Sequence, residues 1–214
     1  MCIESQQVDS TAGNIIANPE PLLIVISGPS GAGKDAVVRR LMERCPNLYF
    51  VVTATTRAPR PGEEHGMDYF FVSHAEFERM IAEDELLEHT LVYGDYKGIP
   101  KQQIRKAMAS GKDVILRVDV QGAATVRRLC PDSLSIFITP PTQADLDDRL
   151  RNRRSESDQS LKIRLDAAHK ELDRLDEFDY LVINNYGQLD LAVDAILDII
   201  KAEHMRVHPR KISL

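Results

Sequence analysis

Seven consecutive residues, Gly28-Pro29-Ser30-Gly31-Ala32-Gly33-Lys34, follow the apolar run Leu22-Leu23-Ile24-Val25-Ile26-Ser27 and precede a helical stretch from Ala36 to Arg44. In the order strand, glycine loop, helix, the pattern G-x-x-x-x-G-K folds into an anion cradle. Gly28, Gly31 and Gly33 let the backbone curl until successive N–H groups converge on a phosphate. The helix start adds its positive end. Lys34 supplies a mobile cation for the outer phosphates of a nucleoside triphosphate. Asp35 stands where a Ser or Thr hydroxyl usually meets Mg²⁺. A carboxylate is a good ligand for a hard cation, yet it places a negative charge beside phosphates. We expect Asp35 to hold Mg²⁺ directly or through water.

A second anion site is written in Thr53-Ala54-Thr55-Thr56-Arg57-Ala58-Pro59-Arg60-Pro61-Gly62-Glu63. Two arginines three residues apart offer planar forks that suit phosphate oxygens. Pro59 and Pro61 limit the loop's freedom before binding, which lowers the entropy lost on holding an anion. Tyr69 could add a phenolic hydrogen bond.

These clusters need a scaffold. Apolar runs alternate with helical patterns along most of the chain, which predicts a parallel sheet with crossover helices. Strands are expected at 22–27, 49–55, 69–72, 86–93, 113–118, 134–138 and 179–183, and helices at 34–44, 74–83, 100–110, 121–129, 142–151, 160–176 and 187–203. Residues 53–98 break the alternation and read as a small, partly antiparallel insert. Residues 149–164 are rich in charge and poor in apolar anchors. Four of the six residues from Arg149 to Arg154 are arginine with no acid among them. Such a patch repels itself until an anion arrives, the mark of a closing lid.

The 214 residues carry a formal net charge of −6, which argues against a dedicated nucleic-acid binder. No apolar stretch approaches the length of a membrane span. Residues 1–20 hold Glu4, Asp9 and Glu20 without Lys or Arg; we expect a disordered extension there, neither a secretory signal nor a transit peptide. Cys2, Cys45 and Cys130 are scattered and imply a reduced, intracellular chain without a structural metal. A cytoplasmic location is expected. The end, from His204 to Leu214, is expected to fray.

The run T-T-R-A-P-R-P-G-E-E-H-G-M-D-Y-F-F-V, joined to G-P-S-G-A-G-K, resembles guanylate kinase, a family that phosphorylates GMP with ATP. The resemblance extends over about residues 22–203 and includes V-D-V-Q-G-A at 118–123. It implies an α/β fold: a P-loop kinase core with a mainly parallel five-stranded sheet flanked by helices (21–52, 99–148 and 165–203), a small α+β GMP-binding insert (53–98) and a helical lid (149–164). By resemblance, Thr53, Arg57, Arg60 and Tyr69 hold the GMP phosphate. Glu88 matches the acid that accepts from guanine N1 and N2; guanine offers two neighbouring N–H donors and adenine does not. Asp119 matches an aspartate near guanine and the metal, and it also reads as a cap on helix 121–129. Arg149, Arg153 and Arg164 fall on the positions that surround the transferred phosphoryl group, and Asn184 on one near the ATP adenine and ribose.

The chain departs from the family at Tyr96-Lys97-Gly98-Ile99, where Tyr-Tyr-Gly-Ser or Tyr-Tyr-Gly-Thr is common. Lys97 can replace a tyrosine contact to the GMP phosphate with a charge-assisted one, and Tyr96 is expected beside it. Ile99 can offer guanine no side-chain hydrogen bond, so tolerance of dGMP or IMP should grow. The resemblance implies ATP, Mg²⁺ and GMP or dGMP as the partners of a monomer or homodimer, with no nucleic acid and no membrane. Two other readings are a catalytically silent phosphopeptide-binding module of the same fold and a P-loop kinase for another phosphorylated acceptor, such as a ribose bisphosphate.

Overall fold

The computed structural model describes residues 20–60, 62–92, 94–151 and 158–214. Five parallel strands form the central sheet: β1 (Leu23–Ser27), β2 (Leu48–Phe50), β7 (Asp113–Arg117), β8 (Leu134–Thr139) and β9 (Tyr180–Ile183), in the order β2-β7-β1-β8-β9. The period-two alternation of β1 sorts its side chains between two cores. Leu22, Ile24 and Ile26 pack on one face with Val37, Val38 and Leu41 of α1 (Lys34–Arg44) and with Val193, Ile196 and Ile200 of α7 (Leu189–His204). Leu23 and Val25 pack on the other with Ile104 of α3 (Lys101–Ala109) and Ala123 and Val126 of α4 (Val120–Leu129). Each large aliphatic side chain so buried contributes about 1.5–3 kcal/mol.

Residues 54–100 build a second sheet, β4-β3-β6-β5. It comprises β3 (Ala54–Thr55), β4 (Phe70–Phe71), β5 (Leu86–Val92) and β6 (Asp95–Pro100), with α2 (His74–Ala82) packed on it. β3 and β4 are parallel, whereas β6 runs antiparallel to both β3 and β5. The strand expected at 49–55 is therefore two strands in two sheets. The chain leaves the first sheet after the bond from Val51 N–H to Ile115 O. There the Gln103 side chain substitutes for a strand, accepting from Val52 N–H at 3.0 Å and donating to Val52 O at 2.8 Å. β6 lay outside the expected strands because D-Y-K-G-I-P has no apolar alternation; it is a strand because it pairs on both sides.

On the far side of the core, α5 (Gln143–Arg151) and α6 (Asp158–Leu172) pack through Leu146, Leu150 and Ala168. The helix expected to 176 ends at Leu172, and a short 3-10 turn at Leu175–Glu177 follows. The C-terminal segment does not fray. Arg210 donates to Ser133 O and to the buried Glu203, and Ile212 and Leu214 pack against the second core. Burial would raise the Glu203 carboxyl, but hydrogen bonds from Arg210 and Tyr180 outweigh it and hold the group at about 2.

Candidate active site

The glycine loop leaves β1 where the backbone permits little else. Gly28 has φ +137°, and a Cβ there would lie 2.0 Å from the carbonyl oxygen of Ile138. Gly33 opens α1 at φ +86°, and a Cβ would fall 2.5 Å from Asn184 Nδ2. Among the described residues no side chain caps α1, which leaves its first amides available to an anion. The Lys34 ammonium donates to its own loop, to Gly28 O at 2.6 Å and Pro29 O at 2.9 Å. Burial pushes its pKa down, while Glu171, Asp35 and Asp119 act in the opposite sense.

Lys34 looks into a cavity of about 190 Å³ lined also by Asp35, Thr53, Tyr69, Glu88, Thr90, Lys97, Ile99, Arg117, Val118 and Asp119. A larger hollow of about 340 Å³ behind Glu88, between β5 and α4, contains no loop residue. The chemistry converges on the smaller one.

Glu88 is half-buried, and its carboxyl is pushed up to about 7, first by burial and then by Asp119. Gly122 lets the two acids come near: Glu88 Oε1 and Asp119 Oδ1 each lie 3.4 Å from where its Cβ would be. Asp119 also caps α4, accepting from Gly122 N–H at 2.8 Å. The capping role foreseen for it is filled by a carboxylate that also lines the cavity.

Strand alternation separates Lys97 from Tyr96. Lys97 and Ile99 face the cavity, whereas the Tyr96 ring stacks on Phe77 with centroids 5.0 Å apart, inside the insert's own core. The expectation that Tyr96 contacts substrate is thus corrected, because neighbouring strand residues point to opposite faces. Ile99 is 2 % exposed and forms an apolar floor.

Thr53 and Tyr69 line the cavity, but Arg57 and Arg60 do not. Arg57 lies over the Tyr69 ring at 5.2 Å and makes a two-point pair with Glu63, both contacts at 2.9 Å. Arg60 is exposed, and its backbone N–H donates to Glu63. In the resting structure the two arginines are organised around an internal carboxylate instead of forming a vacant double fork. Glu63 is therefore a site residue that sequence reading missed.

Asn184 stands against the glycine loop. Its amide donates to Ala32 O at 2.9 Å, bracing the loop from below, and its own carbonyl accepts from Arg149. Arg149 comes near Gly33, its NH1 3.8 Å from the position of a Cβ. Arg164 lies on α6, half-buried; Arg153 lies outside the described residues. Two further residues were not foreseen. Glu171 of α6 accepts from the Ser30 N–H at 3.0 Å, placing a carboxylate in the anion cradle. Arg117, at the end of β7, pairs with Asp35. A charged residue closing a buried strand beside the switch of a parallel sheet was the signal available for Arg117; for Glu171 the helical pattern of α6 offered none.

Sequence and structure comparisons agree. The sequence model of the guanylate kinase family matches residues 20–203. The rice protein "Guanylate kinase 2, chloroplastic/mitochondrial" is 50% identical over 197 residues, covering 92% of this chain and 69% of the relative. A Desulfitobacterium hafniense guanylate kinase is 42% identical, covering 87% of this chain and 92% of its own length. Among solved structures, the guanylate kinase from Anaplasma phagocytophilum superposes with a TM-score of 0.71 at 29% identity, covering 88% of this chain and 89% of that one.

Proposed function

The chain belongs to the guanylate kinase family, and on that premise we propose that it transfers the γ-phosphoryl group of ATP to GMP or dGMP, giving ADP and GDP or dGDP. One observation carries the reading: Lys34 of the phosphate loop and the pair Glu88 and Lys97 of the insert line the same cleft. A donor cradle, a carboxylate for two guanine N–H groups and a cation for a monophosphate thus face each other.

Phosphoryl transfer needs alignment and charge neutralisation more than covalent help. Lys34 leaves the loop carbonyls for the outer phosphates of ATP, while loop amides hold the inner ones. Lys97, Tyr69 and Thr53 seat the GMP phosphate, and Arg57 joins them by exchanging Glu63 for phosphate. Glu88, ionised, accepts from the guanine edge. Arg149 and Arg164, with Arg153, neutralise the group in transfer as the lid closes and excludes water.

The donor set suits Mg²⁺ bound mainly by substrate. Among the described residues no three His, Cys, Asp or Glu side chains gather into a metal cage. Asp35, whose side chain is 70% exposed and paired with Arg117, would hold the ion directly or through water. Held there, the ion would supply positive charge to the phosphates.

We assign the enzyme to the cytoplasm, as a monomer or homodimer. Cys45 and Cys130 are buried, which suits a reducing compartment, and among the described residues no helix is long and apolar enough to cross a membrane. An acceptor screen with ATP tests the function. GMP and dGMP should be phosphorylated well ahead of AMP, UMP and ribose bisphosphates; equal rates with AMP would refute the role of Glu88.

A further inference from the structure

β7 carries a cation into the cleft that neither the loop nor the insert accounts for. Arg117 is the register partner of Ile26, two residues before Gly28, so its side chain emerges beside the phosphate loop. The guanidinium lies over the Phe50 ring at 5.3 Å, which restricts its freedom. NH1 sits 2.9 Å from Asp35 Oδ1; the Arg117 side chain is 21% exposed and that of Asp35 70%. Arg117 lines the same cavity as Lys34 and Lys97, and its charge opposes protonation of Lys34.

We propose that Arg117 is a phosphate-binding residue of this cleft and that Asp35 is its partner only while the site is empty. Three observations support the exchange. The pair is open to water on the Asp35 side, so it contributes little and is cheaply broken. Among the described residues Asp35 holds one nitrogen of a fork with five N–H donors, and the remaining edge suits a phosphate oxygen. Three cations, Lys34, Lys97 and Arg117, line one small cavity together with Asp35, Glu88 and Asp119, and a phosphate between Lys34 and Arg117 relieves the repulsion between those two. The same exchange explains why a carboxylate is tolerated directly after Lys34: Arg117 offsets its charge at rest, and Asp35 is released toward Mg²⁺ when phosphate takes the guanidinium. Arg57 with Glu63, and the Ser30 amide with Glu171, repeat the theme of a phosphate-facing donor resting on a carboxylate.

The proposal rests on the kinase reading, and its test is independent of turnover. Calorimetric binding of inorganic tripolyphosphate and of ATP, both without Mg²⁺, is measured on the full chain. Arg117→Met should weaken both ligands about tenfold or more, and Asp35→Asn should tighten both a few-fold. The double variant decides. If Arg117 touches phosphate, it binds about tenfold more weakly than Asp35→Asn alone; if Arg117 only neutralises Asp35, the two bind alike and the proposal is overturned. Should Arg117→Met fold poorly, Arg117→Lys, which keeps the charge but not the fork, replaces it in the same cycle, with a loss of about threefold or more expected and no loss overturning the proposal. A flat cycle in a chain that phosphorylates GMP sinks the Arg117 role alone. An intact cycle in a chain that does not phosphorylate GMP sinks the kinase reading alone.

Discussion

The donor and acceptor sides of the cleft are built from different material. On the proposed donor side the backbone would do the recognising: Gly28 and Gly33 hold positive φ, Asn184 braces Ala32 O, and the Gly33 cap position of α1 makes no side-chain capping bond. On the proposed acceptor side, side chains would do it: Glu88, Lys97, Thr53 and Tyr69 reach in from the strands and connections of a thin second sheet. A backbone cradle accepts any polyphosphate of the right length. A side-chain wall selects, because its donors and acceptors must match those of one base. General catalysis should therefore fail when the first side is damaged, and choice of substrate when the second is.

The harshest test of that division is Lys34→Met. Turnover should fall on the order of 10³-fold with every acceptor, since a charge aimed at the transferred group is lost. Thermal stability should stay level or rise, because the ammonium is desolvated in the empty protein. Kinetics with GMP and dGMP alongside a melting curve check both. A variant whose loss of rate tracks a loss of fold would break the comparison.

Next in size is Glu88→Gln. Losing an ionised acceptor for two N–H donors should reduce preference for GMP over AMP about 10- to 100-fold while leaving ATP affinity alone. The wild type should also show the acid in its pH profile. The empty fold favours the protonated form, so Glu88 stabilises it fully below its ordinary value of 4.5 and loses that contribution as pH rises through about 7. Guanine requires the ionised form, so binding runs the other way. Between pH 8 and pH 6 the KM for GMP should rise about tenfold from this group. GMP's own phosphate titrates near pH 6, so the Glu88→Gln profile supplies the baseline. A wild-type profile no steeper than that baseline would remove Glu88 from the base site.

Within the acceptor wall, Lys97 and Tyr96 separate recognition from support. Lys97→Ala should raise the KM for GMP about tenfold with little change in fold. Tyr96→Phe should alter neither, and Tyr96→Ala should cost about 2–4 kcal/mol of stability by emptying the stack on Phe77. A Tyr96→Phe variant as poor toward GMP as Lys97→Ala would mean that β6 presents its other face.

The same contrast governs what could be read before folding. A backbone cradle leaves a dense local signature, so residues 28–34, β1 and the full span of α1 were legible together. The parallel character of the central sheet followed from apolar runs that bury both faces, as Val114-Ile115-Leu116 do, and its five strands from the family resemblance. The acceptor wall depends on register, and neighbouring residues such as Tyr96 and Lys97 cannot be assigned to a face until the pairing of β6 is known. Resting partners were the least legible. Glu63 lies close to Arg57 in sequence, but Arg117 with Asp35 and Glu171 with Ser30 join distant segments, and no local pattern announces a carboxylate standing in for phosphate.

The smallest expected effect probes that stand-in on the donor side. Glu171 reaches the Ser30 N–H from α6 at 3.0 Å; burial raises its carboxyl, with the Ser30 amide and Lys34 pulling the other way. If its charge occupies space meant for phosphate, Glu171→Gln should tighten Mg²⁺-free ATP binding a few-fold, in keeping with a partly exposed charge. Because the native carboxyl is held above the ordinary range, the gap between variant and wild type should close as pH falls and the wild type neutralises itself. Weaker binding in the variant would assign Glu171 the opposite task, orienting Lys34. The donor side would then depend on a placed side chain as much as the acceptor side does, and the division between backbone cradle and side-chain wall would fail where it looks cleanest.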